Sequence, residues 1–215
     1  HLLKAEREEL PCGPVVLENA KIRATFDTGS GMLQSLIDKK TGEELLSGPA
    51  GLHLVRTEDS DMSAWRIGRY FGYEPVTDTN RVRVETGDLR TTIRFDQSVM
   101  HSTVYMTVSL DRDSDVLKYD FSIDWHETCK AQKWIPLLTY RLPLKNGSDT
   151  ILTDVPAGYA TRAAREIDVP ALTGACAVTA GTTAALIADC KYGFRLADNV
   201  LSCTLINTAG TPDLY

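Results

Sequence analysis

The sequence predicts an all-β protein, a layered antiparallel sandwich, on three observations. Apolar residues recur at every second position in several segments, turn-forming clusters separate those segments, and helix signals are few. The first stretch, "LLKAEREEL", reads as a short helix or a tethered lead-in over residues 1–14, ahead of one β domain over 15–215. In "KIRATF", Ile22, Ala24 and Phe26 share a face, with Arg23 and Thr25 opposite. "AWRIGRYFGYEP" is aromatic and broken by glycine, which suits a loop with short strand pieces. "RVRVE" sets Val82 and Val84 against Arg81, Arg83 and Glu85, and "VYMTVSL" aligns Val104, Met106, Val108 and Leu110. "VLKYDFSIDW" continues the alternation, with Leu117, Tyr119, Phe121, Ile123 and Trp125 on one side. In "KWIPLLTYRLPL", Trp134, Leu138, Tyr140 and Leu142 face one way and Ile135 and Leu137 the other, so this strand should be covered on both faces. Turns are expected at Thr28–Gly31, Lys40–Gly42, Asp111–Ser114, Asn146-Gly147 and Asp198-Asn199. The composition turns small and apolar after Lys145, as at a sheet switch or a domain boundary.

Composition removes several functions. A net charge of −6, from 23 basic and 29 acidic residues, argues against nucleic acid as a partner, which demands clustered Lys and Arg. No tract approaches the ~18 apolar residues of a membrane-spanning helix, so no membrane partner is expected. Five widely spaced cysteines, Cys12, Cys129, Cys176, Cys190 and Cys203, fit free thiols in a reducing, cytoplasmic compartment. No CxxC occurs, which argues against structural zinc. The start on His1 without Met and the end at "GTPDLY" suggest a piece of a longer protein, truncated at the C-terminus of its β domain.

The densest chemistry is Asp124-Trp125-His126-Glu127. On a strand, Asp124 and His126 share the polar face about 7 Å apart at Cα, within reach of a side-chain contact. Glu127 falls on the apolar side unless the strand ends or bulges there. A zinc protease needs His-Glu-x-x-His on a helix, and here the second His is Lys130 in "HETCK". Cys129 lies three residues past His126, without a recognisable third partner. A glycosidase pair must face a common sugar across about 5–9 Å, whereas Asp124 and Glu127 point apart. A polar strand face bonded to another layer is the better reading.

Three stretches carry a family resemblance. "LENAKIRATFDTGSGMLQSLIDKKTGEELL" (17–46), "DWHETCKAQKWIPL" and "IADCKYGFRLADNVLSCTLINTAGTPD" (187–213) together resemble the C-terminal β region of glycoside hydrolase family thirty-eight α-mannosidases, more the bacterial branch than the lysosomal one. The resemblance implies a galactose-mutarotase-like supersandwich. It implies a parent enzyme that retains anomeric configuration through a mannosyl-enzyme intermediate, with the catalytic Asp and a zinc ion in a separate N-terminal domain. This chain would then contain no catalytic residue and no metal ligand. Its partners would be its own missing catalytic and helical domains, and mannosides in their cleft.

Candidate substrate-binding or domain-interface residues are Asp124, His126, Glu127, Arg162, Arg165, Lys191 and Tyr192. Lys191-Tyr192-Gly193 could contact a sugar, although a hairpin explains it more simply. The aromatic group Trp65, Arg66, Tyr70, Phe71 and Tyr73 could bind sugar or sit beneath neighbouring domains. Glu58, Asp59 and Asp61 lack the glycine-centred spacing of a calcium loop. Two rivals stand beside a non-catalytic mannosidase domain. One is a stand-alone carbohydrate-binding module. The other is a mutarotase-type epimerase, for which only His126, among His1, His53, His101 and His126, lies next to carboxylates.

Overall fold

The alternation becomes nineteen strands, and no α-helix, among the described residues of the computed structural model, which are 6–9, 13–59, 63, 65–129 and 134–209. The chain begins with β1 (Glu6–Glu9), β2 (Val15–Glu18), β3 (Ile22–Phe26), β4 (Leu33–Asp38) and β5 (Glu43–Glu44). β6 (Gly51–Glu58) and β7 (Tyr70–Pro75) follow. Then come β8 (Asp78–Thr86), β9 (Arg90–Val99), β10 (Ser102–Asp111) and β11 (Leu117–Asp124). The last third holds β12 (Trp134–Pro143), β13 (Thr150–Val155), β14 (Gly158–Ala163) and β15 (Val169–Pro170). It ends with β16 (Gly174–Ala177), β17 (Ala185–Ile187), β18 (Gly193–Ala197) and β19 (Val200–Asn207).

These strands form four antiparallel sheets in two compact units. The first unit takes the chain up to Glu44 and Val76–His126, and contains sheets ordered β1-β8-β9-β10-β11 and β2-β3-β4-β5. The second takes Leu45–Pro75 and the chain from Glu127 onward, with sheets β15-β18-β19-β12-β6-β7 and β14-β13-β16-β17. The expectation of a layered sandwich of the galactose-mutarotase-like type is therefore corrected: the protein is all-β, built from four small antiparallel sheets. The reason is physical. Period-two alternation decides that a segment is a strand and which face it buries, but every antiparallel architecture shares that signal.

In the first unit the alternation is followed closely. Ile22, Ala24 and Phe26 are buried, as are Val104, Met106, Val108 and Leu110. The Phe26 and Phe95 rings are both fully buried, their centroids 6.1 Å apart. Gly31 takes φ +67° and lies against the buried Gln97, whose amide nitrogen donates to Ser30 O and Val76 O. A side chain there would be strained and would collide with that amide.

Of the two N-terminal expectations, the helix does not form over Glu6–Glu9. Glu6–Glu9 is a strand paired with Thr86–Arg83, because cross-strand pairing with β8 outweighs the helix propensity of a short Glu- and Arg-rich stretch. His1, Cys12, Asp61, Lys130 and Lys133 lie outside the described residues. After Lys145 the chain leaves the six-stranded sheet and enters the β13 sheet, a sheet switch. The Asp198-Asn199 turn joins β18 to β19 with both residues at positive φ, 50° and 61°.

β12 lies between β19 and β6 in the six-stranded sheet, and its consecutive residues Ile135 to Tyr140 are all buried, so both its faces are covered. One face is apolar, with Leu196, Leu201 and Leu142 in one row and Phe194, Cys203, Tyr140 and Leu52 in the next. The opposite face carries Arg195, Ser202 and Arg141 in one row and Thr204, Thr139 and His53 in another. Polar rows this deep require partners.

Candidate functional site

Arg195 is 1% exposed, flanked in sequence by buried Phe194 and Leu196. Alternation turns it away from those two neighbours, toward the polar face of the sheet. There its Nη1 meets Asp168 Oδ1 at 3.3 Å. The same oxygen accepts the Tyr70 hydroxyl at 3.0 Å, and Oδ2 accepts the Thr204 hydroxyl at 2.6 Å. The Arg195 guanidinium lies 3.8 Å from the centre of the Tyr70 ring and 5.7 Å from that of Tyr73. Arg141 stacks on Tyr73 at 3.8 Å, and the Tyr73 hydroxyl donates to Glu166 at 2.9 Å. Two arginines, two tyrosines and two carboxylates thus clasp residues 166–168 to the sheet.

A bulge makes this possible. Arg56 pairs with Gly72 and Thr57 with Tyr70, so Phe71 is an extra, unpaired residue in β7. Residues three apart on a regular strand face opposite ways. The extra residue puts Tyr70 and Tyr73 on one face, their rings 6.4 Å apart and 10° from parallel. It also turns Phe71 outward, 51% exposed.

The electrostatics follow from burial. Desolvation, reinforced by Asp168, pushes the Tyr70 hydroxyl far above its ordinary range, and desolvation also raises Tyr73. Burial lowers Arg141 and His53. Burial first, then the Asp168 charge, pushes the Cys203 thiol up to about 12, so it is inert as a nucleophile. Arg195 Nη2 and Thr139 Oγ1 are buried without a hydrogen-bond partner among the described residues. The cluster is chemically committed: its carboxylates already accept hydroxyl and guanidinium donors, which suits fixing a loop rather than moving protons.

The residues singled out in the sequence fall in two places. Asp124 and His126 belong to the first unit, at the end of β11, with His126 Nε2 3.1 Å from Asp124 Oδ1. The pair is solvent-exposed, and such pairs contribute about 0–1 kcal/mol. Glu127 is buried and belongs to the second unit, because the chain passes from one unit to the other between His126 and Glu127. Arg162 donates to Thr153 on the half-buried side of β14, while Arg165 is exposed in the segment leading to Glu166. Lys191 is half-buried, and its charge bears on Cys203. Tyr192 is 59% exposed, and its carbonyl accepts the amide of Ala171. Sequence reasoning reached Tyr70 and Tyr73 but passed over Asp168 and Arg195. The available signal was a lone arginine inside the apolar run "GFRLA".

Asp154 pins the turn next to this loop. Its carboxylate accepts the amides of Leu172, Thr173 and Gly174 and the Thr173 hydroxyl, at 2.6–3.0 Å. The Thr173 hydroxyl, then the amides, hold its pKa at about 2 against an ordinary 3.8. A carboxyl depressed on folding stabilises fully above the unfolded-chain value of about 3.9 and loses that contribution as pH falls toward 2. Urea titrations between pH 5 and pH 2 should therefore show Asp154→Asn less stable than the parent at pH 5, with the two converging near pH 2.

The family model described as "Glycosyl hydrolases family 38 C-terminal domain" matches residues 17–215. The chain belongs to this family. The family 38 C-terminal domain is also similar in fold to a solved α-mannosidase from Enterococcus faecalis V583, at 14% identity and a TM-score of 0.69. That match covers 91% of this chain and 26% of the other, so the chain spans about a quarter of the length of the enzyme it resembles. Among curated proteins none matches. No helix among the described residues of this family 38 domain is long and apolar enough to cross a membrane.

Proposed function

We propose that the chain is the non-catalytic C-terminal β domain of a retaining α-mannosidase, packing on the catalytic domain of the same polypeptide and forming part of the wall of its cleft. Membership of the family 38 C-terminal domain over residues 17–215 carries this reading. The internal commitment of Asp168, Glu166 and Arg195 supports a scaffold rather than a centre of proton transfer. In this reading zinc resides in the catalytic domain. Among the described residues no group of three or more His, Cys, Asp and Glu could hold a metal, and Asp124 with His126 offers two ligands. The complete polypeptide should hydrolyse 4-nitrophenyl α-mannoside, and the 215-residue chain should not. Turnover by the chain alone, or none by the complete polypeptide, would overturn the proposal.

A second reading, a carbohydrate-binding module, draws on two exposed rings. Tyr159 is 77% exposed opposite Asp154, and Asp154 holds the Leu172–Gly174 turn one residue from the Ala171–Tyr192 bond. Calorimetric titration of the chain with methyl α-mannoside would detect it, and Tyr192→Ala would abolish the heat.

A further inference from the structure

We propose that the strip Trp65–Phe71, where exposed apolar side chains alternate with arginines beside the open edge of β7, is the seat of a carboxylate-rimmed apolar surface on another domain of the same polypeptide. The inference rests on the reading that this chain is one domain of a longer enzyme.

Four observations carry it. Trp65 is 62% exposed and Phe71 51%, with Ile67 exposed between them. Isolated exposed apolar residues are ordinary, but a large aromatic pair on one short segment marks an interaction surface. The outward aim of Phe71 is built in by the β7 bulge that places Tyr70 and Tyr73 inside.

Arg66 and Arg69 are both exposed and make no ion pair among the described residues, in a chain whose net charge is −6. Aromatics and arginine are the residues enriched at interfaces, and unpaired guanidinium groups favour planar carboxylate partners. A second copy of the same strip would set arginine against arginine across a two-fold contact, which disfavours self-association here.

The β7 edge, closed at its end by Pro75, is otherwise less guarded than three other strand edges of this chain. β11 presents Lys118, Asp120 and Asp124, β5 is two glutamates, and β15 is two residues ending in Pro170. Charges, brevity and proline are the ordinary guards against unwanted pairing. The sole charge of β7, Glu74, is bound to Arg56, and Arg56 is stacked 5.1 Å from the centre of the Trp134 ring. Finally, the solved α-mannosidase is only 26% covered by this chain, so a parent of similar size supplies ample surface to dock.

Hydroxyl-radical footprinting of the complete polypeptide tests the assignment, with exposed Tyr159 and Tyr192 as internal references. Each rate is normalised to intrinsic side-chain reactivity. Trp65 and Phe71 should oxidise at least about fivefold more slowly than their exposure in this chain requires, as expected for residues in a desolvated contact. Oxidation at the rate their exposure requires overturns the proposal, as does protection that disappears on dilution and so belongs to a second copy. Arg66→Glu with Arg69→Glu should restore labelling of Trp65, and unchanged protection in that variant overturns the carboxylate rim. α-Mannoside turnover is read separately. Turnover with Trp65 fully labelled sinks this inference alone, and protection without turnover sinks the activity reading alone.

Discussion

Asp168→Ala should destabilise the chain by about 3–5 kcal/mol, the range for stripping one partner from a buried ion pair. Arg195 would keep its charge at 1% exposure without the one ion-pair carboxylate it has among the described residues. The Tyr70 and Thr204 hydroxyls would lose their acceptor as well. Urea denaturation of the purified chain measures the loss. The double variant Asp168→Leu with Arg195→Met should cost less than Asp168→Ala, because exchanging a buried pair for apolar groups of similar volume is often neutral. A double variant as unstable as the single one would mean that the loop is held by shape rather than by charge.

Phe95→Ala should cost about 3–5 kcal/mol, the usual range for removing a fully buried aromatic ring. Phe95 is completely buried, touches Phe26, and lies within 3.4 Å of where a side chain at Gly31 would begin. Phe95→Leu keeps most of the apolar volume and should lose no more than about half as much. The same denaturation assay ranks the two, and an equal loss in both would point to the tilted ring–ring contact rather than volume.

Strand existence and buried faces could be read from the chain because alternation is a property of neighbours. Ile22, Ala24, Phe26 and the Val104–Leu110 series are buried as their spacing requires. The Asp124–His126 contact was readable for the same reason, since the period of two carries His126, two residues past the end of β11, to the side of Asp124. Which strands share a sheet was not readable, and the four small sheets replace the expected layers. The central cluster was hidden by distance and by an irregularity. Tyr70 and Asp168 are 98 positions apart, and the extra residue Phe71 inverts the facing that regular alternation would assign to Tyr73. Arg195 betrayed itself only as a cation inside an apolar run, and a single sequence does not say what meets it.

The route of the chain between its two units carries a cost during synthesis. β6 and β7 leave the ribosome well before β12, yet β6 pairs with β12, and Thr57 donates to Ile135 across 78 positions. At roughly 5–20 residues per second, that strand must wait several seconds for its mate, with Leu52, Leu54 and Val55 uncovered. Chaperone demand in the producing cell should therefore peak in the interval before residue 143 is made, and a ribosome stalled near His126 would hold out a hairpin with nowhere to dock.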